Sequence, residues 1–238
     1  MKYTFEPKSG LEKFGVKVHD LLVENFPRTF FVGGMVRDML LRRKIADIDI
    51  ATEATPIQAK KVLRDNGVIY DDSNQMFGNL IAKSGQLSIE ITTLRKDLKS
   101  QNRYPKVVFI NDPKIDSQRR DFTINALYFR PKTREILDFH NGLKDLKDRK
   151  IRFIGDPETR IKEDPLRVIR ALRFVLVLDF EMENKTSHAI QNNFDAIKLL
   201  TKSRVGTEIK KIQTNAQRKK LEAVINSKKP LDSILKKT

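Results

Sequence analysis

The stretch FFVGGMVRDMLLRRKIADIDIAT, residues 30–52, decides the fold of this chain. Near its end Asp47 and Asp49 alternate with isoleucine, which predicts a strand from Ile45 to Ala51. Side chains at positions i and i+2 of a strand point to the same face, so the two carboxylates are expected to project together. Such a pair can jointly hold a hard divalent cation, and Mg²⁺ is the usual choice beside phosphates.

The first half of the same stretch predicts a phosphate-binding turn. Gly33 and Gly34 separate an apolar strand, Thr29 to Val32, from a helical pattern, Met35 to Leu41. A glycine turn that opens a helix presents backbone N–H groups and the positive end of the helix dipole, and both attract phosphate. A phosphate-binding turn followed by a strand with two aspartates is an arrangement that suits the transfer of a nucleotide.

The charge balance favours a polyanionic partner. The 238 residues include 47 Lys and Arg against 31 Asp and Glu, for a net charge of +16. Such an excess concerns partners rather than fold, and a generally basic surface is the alternative. The excess is uneven, because Lys198 to Thr238 holds twelve Lys and Arg against three Asp and Glu. This predicts a phosphate-contacting or disordered end.

Composition also excludes several classes of site. The chain has no cysteine, so disulfides and thiolate metal sites are excluded, and its 3 histidines are too scattered for a histidine-based metal site. No apolar run approaches the length of a membrane span, and the N-terminus MKYTFEPKSG lacks a signal-peptide core. We therefore expect a cytoplasmic protein with no membrane partner; the sequence leaves the oligomeric state unknown.

The periodicity changes near residue 140. Strand and helix signals mix before that point, whereas a 3.6-residue period dominates after it, as from Ile161 to Phe174. The expected fold class is α+β, with a head over residues 1–145 and an all-helical neck over residues 146–238. Lys96 to Pro105 is polar and charged, and we expect a mobile loop there.

Five motifs occur in a fixed order along the chain: GGMVRDMLLRRKIADIDIAT, RRDFTINAL, GLKDL with IRFIGDP, EDPLRVIRALRF and SRVGTEIKKI. Together they resemble the class II tRNA nucleotidyltransferases (CCA-adding enzymes) and the related bacterial poly(A) polymerases. The resemblance implies a polymerase-β-type nucleotidyltransferase head with a mixed or antiparallel sheet, a helical neck, and Mg²⁺ as cofactor. The family normally continues into body and tail domains that hold tRNA, and we expect those to be absent here or reduced to the C-terminal end.

The resemblance implies roles for the first motif. Asp47 and Asp49 match the catalytic pair that binds metal in a two-metal reaction. Gly33 and Gly34 match the turn that contacts the phosphates. Arg37 would either face the triphosphate or pair with an acid such as its neighbour Asp38.

The sequence raises expectations for three further positions of the head. Glu90, on another predicted strand, is either an auxiliary carboxylate or an ordinary strand residue. Arg42 stands where the family often has glycine, which implies a local change at the helix end. Asn125 is expected to orient the loop of the second motif.

The second motif, RRDFTINAL, resembles the family's ribose-recognition element. Arg119 and Arg120 would meet phosphate or sugar, and Asp121 would accept a hydrogen bond from a ribose hydroxyl.

The fourth motif begins with EDPLR and matches the family's base-selecting element. Asp164 and Arg167 are expected to be neighbours on one helix face, with Glu163 as an acid of the first turn. Cytosine and adenine present an NH₂ donor beside a ring-nitrogen acceptor, which a carboxylate and a guanidinium complement. Uracil and guanine present the opposite pattern and leave both groups mismatched.

Further along the neck, two arginines and one three-residue motif are candidate functional or structural residues. Arg170 and Arg173 would reach triphosphate or RNA, or form a solvated basic face. Ser203, Arg204 and Glu208 match the family's neck-stabilising motif and are expected to be structural.

These patterns predict a template-independent enzyme that adds C and A to the 3′ end of tRNA or another RNA, from CTP and ATP. The stretch QMFGNLIAKSG, where poly(A) polymerases of the family carry a basic strand, favours the tRNA enzymes. The alternatives are poly(A) addition, A-only or CC-only addition, a non-catalytic RNA-binding protein, and a small-molecule nucleotidyltransferase.

Overall fold

The computed structural model describes residues 2–98 and 106–226. The chain divides into two compact units: the first holds residues up to Arg120 and from Ile124 to Leu143, and the second holds Asp121 to Thr123 and the residues from Lys144 onward. Among the described residues, no helix combines the length and the apolar character that a membrane crossing requires.

The first unit mixes helices and strands. Its helices are α1 (Gly10–Val23), α2 (Gly34–Leu40), α3 (Pro56–Asp65) and α4 (Pro113–Gln118). Its strands are β1 (Thr29–Val32), β2 (Asp49–Thr52), β3 (Ile69–Asp71), β4 (Asn79–Ser84), β5 (Leu87–Thr93), β6 (Arg95–Leu98), β7 (Lys106–Phe109), β8 (Leu127–Arg130) and β9 (Glu135–Asp138).

Seven of these strands form one mixed sheet in the order β3-β4-β5-β2-β1-β8-β9. β2 and β5 pair in parallel, and the other neighbours pair antiparallel. Parallel neighbours need a crossover connection, and here the chain between them includes α3. The sheet is the mixed type that the sequence predicted.

The central strands are apolar on both faces. On one face α1 packs through Val18 and Leu22, and Gly15 lets this helix approach closely, since a Cβ there would lie 2.7 Å from Ile48 Cδ1. α1 starts in a capping box in which the Ser9 side chain accepts from the Glu12 backbone. The other face carries the buried cluster Phe30, Val32, Ala51, Leu94 and Tyr128.

β6 and β7 form a separate antiparallel hairpin, with Arg95 opposite Phe109. The expected mobile loop from Lys96 to Pro105 is therefore wrong for its first residues, since residues 96–98 belong to β6. Residues 99–105 of that prediction lie outside the described residues. The strand escaped sequence reasoning because its side chains beyond Arg95 are exposed, so it shows no apolar alternation.

The end of α2 explains the departure at Arg42. The helix ends at Leu40, and Arg42 takes φ +53, in the left-handed region that favours glycine. The Arg43 N–H donates to the carbonyl of Asp38 at 2.8 Å, which closes the helix as in a Schellman motif. The backbone thus keeps a glycine-like conformation with an arginine side chain.

The second unit is mainly helical. Its helices are α5 (Gly142–Lys147), which begins in the last residues of the first unit, then α6 (Pro157–Glu163), α7 (Leu166–Leu178), α8 (Asn184–Asn192), α9 (Lys202–Lys210) and α10 (Asn215–Asn226). It also contains a two-residue parallel pair, β10 (Lys150–Ile151) with β11 (Glu181–Met182), which the sequence pattern did not reveal.

The predicted continuous helix from Ile161 to Phe174 is wrong. α6 ends at Glu163, Asp164 is extended at φ −152 and ψ 101, and α7 starts after Pro165. A proline disfavours the helical region for the residue before it and cannot donate a backbone hydrogen bond, so the break falls at Asp164.

Candidate functional site

Gly33 forms a cradle at the end of β1. It takes φ 74 and ψ −133, which side-chain-bearing residues rarely adopt. A Cβ at this position would lie 3.5 Å from Oδ2 of Asp49 and 3.6 Å from Nη1 of Arg120. Glycine therefore keeps side-chain carbon away from a carboxylate and a guanidinium that both lie beside the turn, and Gly34 follows it as the first residue of α2. Since α2 has only 7 residues, the cradle rests more on this geometry than on a helix dipole.

The two aspartates lie at the start of β2. Asp49 is its first residue and is half-buried, whereas Asp47 precedes the strand and is exposed. The predicted strand start at Ile45 is therefore too early. The predicted alternation of isoleucine and aspartate side chains is confirmed. Ile48, between the two aspartates, is 1% exposed, and Ile50, which follows Asp49, is 0% exposed.

The carboxylates of Asp47 and Asp49 have the ligand chemistry that suits a hard cation. Carboxylate oxygens are the ligands that Mg²⁺ takes from proteins, and it usually keeps waters and phosphate oxygens as further ligands. Within residues 2–98 and 106–226, no three acidic or histidine side chains gather into a metal-binding group. Asp47 and Asp49 would thus hold Mg²⁺ as a partial ligand set beside a phosphate.

Glu90 lies on β5 directly opposite Asp49 on β2. Its side chain is exposed, and Asn79 Nδ2 donates to its Oε1 at 3.2 Å. Cross-strand partners project to the same face of a sheet, so Glu90 and Asp49 share a face. This register places the candidate auxiliary carboxylate beside the aspartate pair.

Arg37 is occupied by two partners in the first unit. Its Nε and Nη2 donate to the two carboxylate oxygens of Asp38 at 3.0 and 2.8 Å, and its Nη1 donates to Asn125 Oδ1 at 2.7 Å. The side chain is buried. Of the two alternatives for Arg37, the pairing with Asp38 is the one adopted here, and the contact fixes Asn125.

Arg119 and Arg120 both reach the buried carboxylate of Asp116. Arg119 Nε donates to Oδ1 at 2.8 Å, and Arg120 Nη2 donates to Oδ2 at 3.4 Å. Burial lowers the pKa of Arg120, but the attraction of Asp116 and the hydrogen bond to the Tyr128 hydroxyl outweigh burial and leave the pKa raised. Arg120 therefore stays charged near Asp49 and Gly33.

Asp121 lies in an ion-pair network of the second unit. Its Oδ1 accepts from the Phe122 N–H at 2.8 Å, and its Oδ2 accepts from Arg170 Nε at 2.7 Å. Burial lowers the pKa of Arg170, yet Asp121 and Glu208 outweigh burial and raise it. The carboxylate expected to meet a ribose hydroxyl is thus held by Arg170.

Arg173 is buried and donates through Nε to Glu208 Oε2 at 2.9 Å. Glu208 is also buried and accepts from Lys211 Nζ at 2.6 Å. Because Arg170 is half-buried and Arg173 buried, the alternative of a solvated basic face is wrong for both. Glu208 joins α7 to α9, which matches its expected structural role.

The pair expected to select the base is arranged differently from the prediction. Asp164 and Arg167 do not share one helix face, because the break at Asp164 leaves the aspartate between α6 and α7. Asp164 Oδ1 accepts from the Leu166 N–H at 3.1 Å and from Arg204 Nη2 at 2.9 Å. Arg204 therefore contacts one member of the pair directly.

Arg167, the other member, lies in the first turn of α7. Its Nη1 donates to Glu163 Oε2 at 2.7 Å and to the carbonyl of Arg160 at 2.7 Å. Glu163 also accepts from Arg160 Nη1 at 2.5 Å. Glu163 thus acts here as an anchor for the guanidinium.

Sequence reasoning missed Asp116 and Tyr128. Asp116 is 0% exposed, and the Tyr128 hydroxyl donates to its Oδ2 at 2.6 Å. The sequence signal for Asp116 was its position four residues before Arg120, a spacing at which side chains meet on a helix. A tyrosine inside an apolar strand was a second signal, since a buried hydroxyl requires a partner.

Comparison with known proteins gives a consistent result. A family model described as the poly A polymerase head domain matches residues 29–152. The CCA-adding enzyme of Lactobacillus delbrueckii subsp. bulgaricus is 41% identical over 188 residues, which cover 77% of this chain and 46% of that protein.

Two solved structures share the fold. The crystal structure of the Bacillus stearothermophilus CCA-adding enzyme in complex with CTP matches with a TM-score of 0.78 at 29% identity, covering 92% of this chain and 54% of that one. A tRNA nucleotidyltransferase complexed with a primer tRNA and an incoming ATP analog matches with a TM-score of 0.70 at 29% identity, covering 91% and 62%. These likenesses confirm the predicted fold class, and the chain spans about half the length of the curated relatives it matches.

Proposed function

This chain belongs to the family of the poly A polymerase head domain and of the class II CCA-adding enzymes, and from that premise we propose that it adds C and A residues to the 3′ end of tRNA from CTP and ATP. The names of its relatives support the nucleotidyltransferase class of the reaction, and solved structures holding CTP, or primer tRNA with an ATP analog, support the substrates. Its net charge of +16 supports an RNA partner.

The observation that carries the proposal is the cradle at Gly33. A glycine in a conformation that other residues rarely adopt keeps side-chain carbon away from the Asp49 carboxylate and the Arg120 guanidinium, which both lie beside the turn. A phosphate bound at this turn would meet Arg120, which would pair with a phosphate oxygen by a charge-assisted hydrogen bond. The arrangement suits a nucleoside triphosphate carried with a divalent cation.

Asp47 and Asp49 are the residues that would hold Mg²⁺. Two such ions, when bound, would activate the attacking 3′-hydroxyl and stabilise the triphosphate and the pyrophosphate that leaves from it. Arg37 keeps Asn125 in place beside the turn, and Glu90 adds negative charge on the same sheet face as Asp49.

Base selection is proposed for Asp164 and Arg167. A carboxylate accepts from the exocyclic NH₂ of cytosine or adenine, and a guanidinium donates to the adjacent ring nitrogen. Each is already held by a neighbour, Asp164 by Arg204 and Arg167 by Glu163. Held groups discriminate better than loose ones, because a mismatched base cannot induce them to turn away.

The test is incorporation of each nucleotide, alone and mixed, into tRNA that lacks its 3′ end, with Mg²⁺ present and the product measured by mass. We expect CTP and ATP to be used and UTP and GTP rejected, and we expect Asp47→Ala to abolish extension. Asp65→Ala, which removes an exposed aspartate paired with Lys61, serves as the matched control.

Other outcomes would identify a different activity. Equal use of all four nucleotides would reject the base-selecting roles. Long tails of A alone would indicate a poly(A) polymerase. RNA binding with no extension by either the wild type or Asp47→Ala would indicate a non-catalytic RNA-binding protein.

A further inference from the structure

Asp116 is a fully buried carboxylate that the proposed reaction does not use. It accepts four hydrogen bonds: its Oδ1 from the Arg95 backbone N–H at 3.0 Å and from Arg119 Nε at 2.8 Å, and its Oδ2 from the Tyr128 hydroxyl at 2.6 Å and from Arg120 Nη2 at 3.4 Å. Burying a charge is costly unless it is paired and hydrogen-bonded. This carboxylate therefore constrains the groups that donate to it.

The Tyr128 hydroxyl links Asp116 to Arg120. It accepts from Arg120 Nε at 2.9 Å and donates to Asp116, so the three side chains form a directed chain of hydrogen bonds. Burial raises the pKa of Tyr128, and the hydroxyl stays protonated as this chain requires. The ring is fixed by an edge-to-face contact with Phe30, with centroids 5.7 Å apart.

The position of Tyr128 within the sheet holds this chain of hydrogen bonds in place. Tyr128 pairs with Val32 where β8 lies beside β1, one residue before the Gly33 cradle. The Arg120 guanidinium also lies over the Tyr128 ring, with its carbon 5.1 Å from the centroid. Tyr128 on β8 and the cradle at the end of β1 thus lie on neighbouring strands of the sheet.

The opposite edge of Arg120 lies toward the cradle. While Nε and Nη2 contact Tyr128 and Asp116, Nη1 lies 3.6 Å from the point that a Cβ of Gly33 would occupy. A guanidinium carries its donors in a fixed planar fork, so holding one edge orients the other. The orientation of Arg120 toward the cradle follows from its contacts with Asp116 and Tyr128.

We propose that Asp116 and Tyr128 are positioning residues that hold Arg120 against the phosphates of the incoming nucleotide. This inference rests on the proposed function, and in it the Tyr128 hydroxyl acts only through Arg120. Because Arg120 would contact the phosphates, Asp116 and Tyr128 should affect the binding of a nucleotide but not the binding of a ligand that lacks phosphate.

The test is Tyr128→Phe, which removes the hydroxyl and keeps the ring. Calorimetric titration with CTP and Mg²⁺ should show affinity weakened roughly three- to tenfold, the usual worth of one hydrogen bond. The KM for CTP should rise by a similar factor with kcat little changed, and the affinity for cytidine should stay the same. Tyr70→Phe, on edge strand β3, is the matched control and should match the wild type.

A second variant, Asp116→Asn, keeps the shape and removes the charge, and it should weaken CTP binding more than Tyr128→Phe. An unchanged ratio of CTP to cytidine affinity in Tyr128→Phe, or loss of its thermal transition, would overturn the inference and show a purely structural network. A wild-type chain that binds no CTP would instead refute the proposed function, so the two failures are distinguishable.

Discussion

Asp49 and Glu90 lie opposite each other where β2 and β5 pair in parallel, and both project to the same face of the sheet. The side chain of Glu90 is held there by Asn79, whose amide donates to it at 3.2 Å. A third carboxylate in this place would increase the negative potential that attracts a divalent cation to Asp49.

Glu90→Gln should therefore weaken Mg²⁺ binding without changing the fold. We expect the concentration of Mg²⁺ needed for half-maximal incorporation to rise about tenfold or more, the usual effect of losing a group that supports metal ligands. Glu135→Gln, at an exposed glutamate of β9, is the control. Identical Mg²⁺ titrations for the two variants would make Glu90 an ordinary strand residue.

Gly33→Ala should damage nucleotide binding through the cradle. The alanine must adopt φ 74, and its methyl group would lie 3.5 Å from Asp49 Oδ2 and 3.6 Å from Arg120 Nη1, where a phosphate would approach the turn. Strain of this kind costs about 1–3 kcal/mol, and the added methyl group should reduce CTP affinity at least about tenfold.

The control for Gly33→Ala is Gly67→Ala. Gly67 also has a positive φ, of +66, but no other group lies within 4 Å of its added Cβ. Both variants should lose stability in denaturant titrations, and only Gly33→Ala should lose CTP affinity. Equal CTP affinities would show that the Gly33 turn is not a phosphate site.

Arg204→Met should relax base selection while leaving stability nearly intact. The Arg204–Asp164 ion pair is partly exposed, at 49% and 33% of the two side chains, so its loss should change the free energy of unfolding by about 0–1 kcal/mol. Without Arg204 the Asp164 carboxylate can turn, and misincorporation of UTP and GTP should increase. Lys202→Met on the same helix is the control, and unaltered selectivity in Arg204→Met would confine Arg204 to a structural role.

Arg42→Gly should stabilise the protein. Arg42 adopts φ +53, and a left-handed conformation costs a side-chain-bearing residue about 1–2 kcal/mol relative to glycine. We expect the free energy of unfolding to rise by about 1 kcal/mol in urea titrations. Arg43→Gly, one residue later and outside the left-handed region, should give no gain; a gain there as well would indicate a charge effect rather than backbone strain.

His19 should make stability depend on pH below neutrality. Burial lowers the pKa of His19 below its ordinary value of 6.5, against the raising effect of Asp20. The unfolded chain therefore takes up a proton first as the pH falls. Stability is complete above about pH 6.5 and decreases from there down to the lower folded pKa, by at most about 1.4 kcal/mol per pH unit.

Denaturant titrations between pH 7.5 and 5.0 would measure this slope. It should be shallower in His19→Gln, with the remainder due to His140, whose pKa burial also lowers. His188→Gln, at an exposed position, is the matched control for replacing a histidine by glutamine. A slope unchanged by His19→Gln would show that this imidazole does not titrate differently in the folded protein.

Local features of the site were predictable from sequence because they depend on short spacings. The isoleucine alternation around Asp49 is buried as predicted, and the glycine turn lies at the end of β1. The break at Asp164 was also within reach, since Pro165 disfavours a helical residue before it. The prediction that Asp164 and Arg167 share one helix face was wrong for that reason.

Long-range pairings were not predictable in the same way. The contact between Asp116 and Tyr128 joins a short helix to a central strand, and no periodicity reports such a meeting. The pairing of Arg170 with Asp121 spans 49 positions in the chain. Exposed β6 looked like a loop because strand patterns are recognised by a buried face, which this strand lacks.

The break between α6 and α7 has a mechanical consequence. Asp164 is extended and Pro165 has no N–H, so the two helices meet at a joint rather than forming one rod. Arg167 of α7 donates across this joint to Glu163 and to the carbonyl of Arg160 in α6, so its guanidinium ties the two helices together at the bend. Removing that guanidinium would therefore loosen the bend as well as delete a hydrogen-bond donor.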